Sequence, residues 1–224
     1  MIESYLNYIQ ESNYSKEIYK VSARIPIELH FSPMMIEKWS KWKPVTLELS
    51  HERFGQYKNY FKDINKYLVA LNKATRMKVN DIIKKVTIFV MADKRKHSYA
   101  GTGKNITSSN KSHTYIALGI ESKPHALVYF CHELGHSFIT VDKNWNKKQL
   151  ELCHMMIEYF TDWTIWNKFN IEKNVFVTRG HKREEFNKLI NKEYSKSNIE
   201  ASSLTSNIVS RYKEYSDYIR VRNK

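Results

Sequence analysis

Little in this chain can staple it covalently or break it into pieces. Of 224 residues only 2 are cysteine, 4 proline and 6 glycine. Two thiols, Cys131 and Cys153, cannot build a disulfide framework, which points to a reducing compartment and a cytoplasmic protein. The Asn-x-Ser/Thr triplets at Asn13 and Asn105 then carry no sugar. No apolar run approaches the roughly 20 residues of a membrane helix. The start, MIESYLNYIQESNYSK, has no basic stretch leading into an apolar block. Neither a membrane span nor a secretory signal is expected. Repeats, low-complexity tracts and Pro/Gly/Ser linkers are missing too, so composition alone marks no boundary.

What is present suffices for a core. Hydrophobic residues make 42% of the chain and aromatics 13%, which excludes a wholly disordered protein. The length suits one ordinary domain with extensions. The charge is one-sided: 37 Lys and Arg against 23 Asp and Glu, formally +14. Such a surplus attracts polyanions, nucleic acid above all. The chain is also rich in Lys, Asn, Ile and Tyr and poor in Ala, which an AT-rich coding sequence produces unaided. Weak nucleic-acid binding is therefore the expectation.

Periodicity gives a coarse map. Residues 1–20 suit a short amphipathic helix. Alternation over Ala23–Phe31 and Val45–Leu49 suggests strands, with a helix from Ser32-Pro33 to Trp39 between them. A longer helix is predicted near Glu52–Arg76. Val86–Met91 and His113–Ile120 read as strands, and the acid-free stretch 94–111 between them as a loop. Ser122 and Pro124 open a helix running to about Thr140, and another covers Asn146–Phe169. From Arg183 on the chain is helical and charged, with a break expected in Ser202–Asn207. Gly101-Thr102-Gly103-Lys104 looks like the tail of a phosphate-binding loop. Asn105 replaces the magnesium-binding hydroxyl and Ser98 the first Gly, so it reads as a hairpin loop.

Chemistry concentrates in His132-Glu133-Leu134-Gly135-His136, an instance of HExxH inside a helical stretch. Residues four apart on a helix stand one above the other, so both imidazoles leave the same face. Two neutral imidazole nitrogens suit zinc. Glu133, one position off that face, stands where a base takes a proton from a zinc-bound water. The flanking sequences, Ala-Leu-Val-Tyr-Phe-Cys and Ser-Phe-Ile-Thr, bury the helix, so its polar trio needs a reason.

Zinc needs a third ligand, and two carboxylates compete. Asp142 has the six-residue spacing from His136 used by the metzincin group, but that arrangement needs a sharply turning Gly where this chain has Ile139. Glu158 sits in the next helix among Met155, Met156, Ile157, Tyr159 and Phe160, where a carboxylate calls for a compensating cation. Asp162, four residues on, is placed to accept from the outer nitrogen of a zinc-bound His. His154, one turn before Glu158, shares its face and reads as a core or surface residue, with support of a metal ligand as the alternative. His181 and Tyr159 are candidates to stabilise an oxyanion.

HELGH followed 22 residues after His136 by Glu-x-x-x-Asp resembles the gluzincins, zincin metallopeptidases whose third ligand is Glu. With VYFCHELGH before it, the pattern is closest to the ImmA/IrrE-type metallopeptidases, over about residues 113–166. The resemblance implies an α+β, zincin-like fold. A small mixed sheet would pack on the HExxH helix and a Glu-bearing helix, with extra helices at the N- and C-terminal ends. Residues 1–175 would form the metallopeptidase domain and 176–224 a helical extension. His113–Ile120 would be the edge strand that pairs with substrate backbone. It implies a zinc endopeptidase acting on a protein or peptide, with His132, His136 and Glu158 as ligands, Glu133 as catalytic base and Asp162 in support. Two rival readings stand beside it. One is a nucleic-acid-associated metalloprotease in a SprT-like role; the other is a non-catalytic basic binding module with a structural zinc.

Overall fold

The computed structural model describes residues 16–41, 43–93, 100–106, 112–139, 142, 144–170 and 182–219, with backbone only over 100–106. It is a mixed α+β protein dividing into two units. One joins the chain up to Leu68 with Lys78–Ser137, and the other joins Val69–Met77 with the chain from Phe138.

The first unit holds the sheet. Its strands are β1 (Glu17–Val21), β2 (Ile27–Phe31), β3 (Ile83–Val90), β4 (Ala100–Ile106) and β5 (Ser112–Leu118), in the order β1-β2-β3-β5-β4. The inner pairs β2–β3 and β3–β5 are parallel, while β1 and β4 run antiparallel at the two ends. Register puts Ile27 beside Val86 and Leu29 beside Ile88, and Ile88 beside Ile116, so one face is a continuous apolar layer. Against it pack α2 (Leu47–Tyr60), on which α1 (Pro33–Ser40) lies in turn, and, later in the chain, α5 (Lys123–Phe138), tied to β5 through Ser137 and Thr114. Ser32 caps α1 by accepting from the Met35 amide, and Thr46 caps α2 by accepting from that of Leu49. Phe54 of α2 meets Phe31, Phe61 meets Phe130 of α5 edge-on at 5.3 Å, and the Tyr57 hydroxyl donates to the Ile120 carbonyl. Between α2 and β3 run α3 (Ile64–Thr75) and the single turn α4 (Val79–Ile82). After β5, Gly119 lies so close to the end of β3 that a Cβ there would strike the Met91 carbonyl.

The second unit is helical. It holds α6 (Lys147–Glu158), a π-helical turn (Tyr159–Trp163), α7 (Thr164–Phe169), α8 (Arg183–Ser195), α9 (Ala201–Ser210) and a 3-10 segment (Tyr212–Tyr218). Asn146 and Gln149 form a reciprocal capping box at the start of α6. Phe160 packs edge-on against Tyr194, and Phe186 against Tyr215. Arg76, at φ 56° just past α3, lays its guanidinium 3.9 Å from the Tyr194 ring. It donates to the carbonyls of Tyr194, Ser197 and Ile199.

Several expectations need correction. Val45–Leu49 is not a strand: Val45 makes one bridge to Asp93 and α2 begins at Leu47, because Thr46 caps a helix there. Residues 1–15 of the expected N-terminal helix lie outside the described residues, and Glu17–Val21 is strand β1. Stretch 94–111, read as a loop, contains β4, and Gly101–Lys104 lies within that strand. In consequence β5 is interior, paired on both sides, and β4 is the edge. The C-terminal break falls at 196–200 and not in Ser202–Asn207, which is inside α9.

Candidate metal centre

Helix α5 carries the HExxH residues of the first unit. Its apolar side, with Leu127, Phe130 and Leu134 fully buried, fixes the helix against the core. Near its C-terminal end Ser137 and Thr114 of β5 share a hydroxyl hydrogen bond of 3.0 Å, which ties the helix to the sheet one residue past His136. The His132 and His136 rings stand edge to face, centroids 5.1 Å apart, and their ligand nitrogens lie within 4.8 Å of each other. Two nitrogens on one tetrahedral zinc are about 3.3 Å apart, a separation inside that limit. His132 is 7% exposed and Glu133 6%. A base held in so little water is a base whose environment the protein controls. The residues fit a zinc ion by donor type, spacing and burial.

The outer face of the same sheet carries a separate polar network. His113 of β5 lies with one ring nitrogen 3.0 Å from the Thr87 hydroxyl and the other 3.0 Å from that of Tyr115, which stacks on it. Burial, with Lys85 adding repulsion, pushes the His113 imidazole down to about 4. Glu28 joins His30 at 3.1 Å and Lys85 at 2.6 Å. Burial lowers His30 as well, against the pull of Glu28.

In the second unit the sequence-predicted carboxylates have clear surroundings. Glu158, the last residue of α6, is partly exposed and both its oxygens are engaged. Oε1 lies 3.2 Å from Nδ1 of His154, and Oε2 pairs with the Arg183 guanidinium at the start of α8. Arg183 is nearly buried, and burial pushes its guanidinium down to about 10 while Glu151 pulls it back. Asp162 is 2% exposed inside the π turn and accepts from the Thr161 hydroxyl at 3.0 Å. That hydroxyl also bonds the Ile157 carbonyl, and the Thr164 hydroxyl donates to the Tyr159 carbonyl. Asp142 is exposed and closes an Asx turn by accepting from the Asn144 amide. Ile139 is buried without a positive φ, so the metzincin turn is not formed. Tyr159 is buried, its hydroxyl donating to Asn191, and burial raises its pKa. His181 lies outside the described residues.

Arg183 is the site residue that sequence reasoning missed. It lies 25 positions beyond Glu158 across an uninformative stretch, and only the fold pairs the two. Comparisons of the chain with family models, curated proteins and solved structures find no match, so the reading of this site rests on its own residues.

Proposed function

We propose that the protein is a zinc-dependent endopeptidase of zincin type, with His132 and His136 as two ligands and α6 as the source of the third. The observation that carries this reading is the HELGH on α5, with His132 and Glu133 buried, its two rings together and Glu133 between them in sequence. Among the described residues, His132, His136 and His154 are the histidines suited to hold a metal, and the sequence adds Glu158. Zinc held by these residues would supply Lewis acidity for activating a water and polarising a scissile carbonyl. Glu133 takes the proton of the attacking water and hands it to the departing amine. The antiparallel end strand β4 gives an extended peptide a backbone ladder to join. Asp162, buried and already accepting one hydrogen bond, is an acceptor for the outer nitrogen of a ligating imidazole.

A nucleic-acid-associated variant of this function is favoured by one feature, the stretch 94–111. It carries Lys94, Arg95, Lys96, Lys104 and Lys111 with no acidic residue, and β4 runs through it. Metal analysis of the purified chain beside His132→Ala tests the core of the proposal. Wild type should hold one zinc and the variant none. A chain that binds no zinc, or one that loses nothing with His132, is not a zincin.

A further inference from the structure

Helix α2 lies across the ends of two parallel strands and carries a charge with no counterpart among the described residues. The Ser50 hydroxyl accepts from the Ala92 amide just past β3, at 2.9 Å. Tyr57 and Tyr60 donate to the carbonyls of Ile120 and Glu121 just past β5, each at 2.9 Å. Arg53 stands on the helix one turn from Ser50 and one turn from Tyr57, so it is carried over the carboxyl ends of β3 and β5. In open sheets with parallel strands, that is the end where ligands bind. The positions three and four away from Arg53 hold Leu49, Ser50, Gln56 and Tyr57, none of them acidic. Its Nε and Nη1 are shut off from water, and among the described residues no acceptor meets either. Gln56 has the opposite need. Its Nε2 donates to Glu52 at 3.2 Å, and its buried Oε1 receives no hydrogen bond among the described residues. Burial raises the pKa of the Tyr57 hydroxyl while the Arg53 charge pulls it down, which puts that charge within electrostatic reach of the ring's polar end.

We propose that Arg53 and Gln56 form a phosphate site at this end of the sheet, taking free phosphate or a phosphomonoester. The guanidinium gives N–H donors to the phosphate oxygens, and the Gln56 carbonyl oxygen accepts from the oxygen that keeps a proton. A carboxylate meets only the first of those needs, because near neutral pH it has no proton to give. A singly protonated phosphate meets both. Native proteins leave few buried polar groups unsatisfied, and three such atoms one helical turn apart call for a ligand. A cation kept unpaired in the protein costs stability, which a binding site tolerates for the sake of its ligand. The surplus of 37 Lys and Arg over 23 acids adds a field that draws anions towards the protein. Every residue of the site belongs to the unit that holds the sheet. The inference is independent of the zinc reading.

The experiment is calorimetric titration of the full chain, in Tris chloride free of oxyanions, with inorganic phosphate, methyl phosphate and acetate. Wild type, His132→Ala, Arg53→Met, Arg53→Lys and Gln56→Leu are compared, with circular dichroism confirming the fold. Inorganic phosphate should bind wild type saturably, one to one. It should bind His132→Ala equally well, because the metal centre does not hold it. Arg53→Met should weaken phosphate by about tenfold to a hundredfold, the worth of hydrogen bonds to a charged group. Arg53→Lys should recover part of that loss. Gln56→Leu should weaken inorganic phosphate as well, and acetate should bind wild type far more weakly than phosphate. Methyl phosphate bound as well as inorganic phosphate assigns the site to phosphomonoesters, and its exclusion assigns the site to free phosphate. Thermal melting gives a second readout. Without oxyanions Arg53→Met should melt at or above wild type, and added phosphate should raise the melting temperature of wild type alone. The inference is overturned if wild type binds neither phosphate, if acetate binds as well as phosphate, or if binding vanishes in His132→Ala and survives in Arg53→Met. An Arg53→Met chain that fails to fold shows a structural Arg53 and overturns it too.

Discussion

A single proton transfer separates the roles of the residues in HELGH. Glu133 is buried on α5, next in sequence to His132, and a glutamine there keeps the shape and the hydrogen-bonding reach while losing the basicity. Glu133→Gln should therefore bind zinc and melt like wild type while peptide hydrolysis falls by about 10²- to 10⁴-fold, the range general-base catalysis supplies. Zinc analysis alongside turnover of a cleavable peptide checks both halves, and an active Glu133→Gln would remove Glu133 from the mechanism. Asp142 gives the contrasting outcome. Its carboxylate is exposed and committed to an Asx turn, and Ile139 makes no left-handed turn to redirect it. Asp142→Ala should keep its full zinc content by metal analysis. Loss of the metal in that variant would move the protein to the metzincin arrangement.

At the scale of elements, β5 is held between two strands and carries its most consequential polar residue on the face away from α5. His113 is lowered to about 4 when folded, mainly by burial, against about 6.5 in an unfolded chain. Between those values the unfolded state binds the extra proton, so stability rises with pH across the window. The contribution is complete above about 6.5 and is lost as pH falls towards 4. With a chelator present to remove any metal effect, the urea midpoint should drop between pH 7 and pH 5, and His113→Gln should flatten that drop. An unchanged pH profile would show that His113 is solvated.

Legibility in the sequence also divides by element. The helices α1, α5 and α6 could be read because their signals are local: Ser32 and Pro33 start the first, Pro124 the second, and Asn146 with Gln149 the third. The HELGH face followed from the four-residue spacing alone. Strand β4 was missed because Ala100-Gly-Thr-Gly-Lys-Asn-Ile106 has turn-like composition, and its pairing with β5 supplies what propensity lacks. Val45–Leu49 alternates like a strand, yet the Thr46 cap decides in favour of helix. The partners of Glu158 divide in the same way: His154 is on its own helix and visible, Arg183 is on another and was not.

For the whole molecule the open quantity is charge. A net +14 spread over 224 residues is large enough to bind polyanions whatever its origin. If it is a residue of coding bias, binding to DNA should be weak, blind to sequence and gone at moderate salt. If it is a tether for a protease working on nucleic-acid-bound proteins, the cations Lys94, Arg95 and Lys96 are the first place to look. They lie in the acid-free stretch that leads into β4, although outside the described residues. Reversing all three to Glu should then weaken duplex binding and flatten its salt dependence, each lost phosphate contact removing about 0.9 from the log–log slope. Cleavage of a short free peptide should not change, since the proposed chemistry belongs to α5 and α6. The measurement is a salt titration of duplex affinity for wild type and triple variant, run beside the peptide assay. A steep slope that survives the triple reversal would clear this stretch and direct attention to the lysines of α8. Protection of one DNA sequence alone would end the coding-bias explanation, because a diffuse surplus of lysines reads phosphates and not bases.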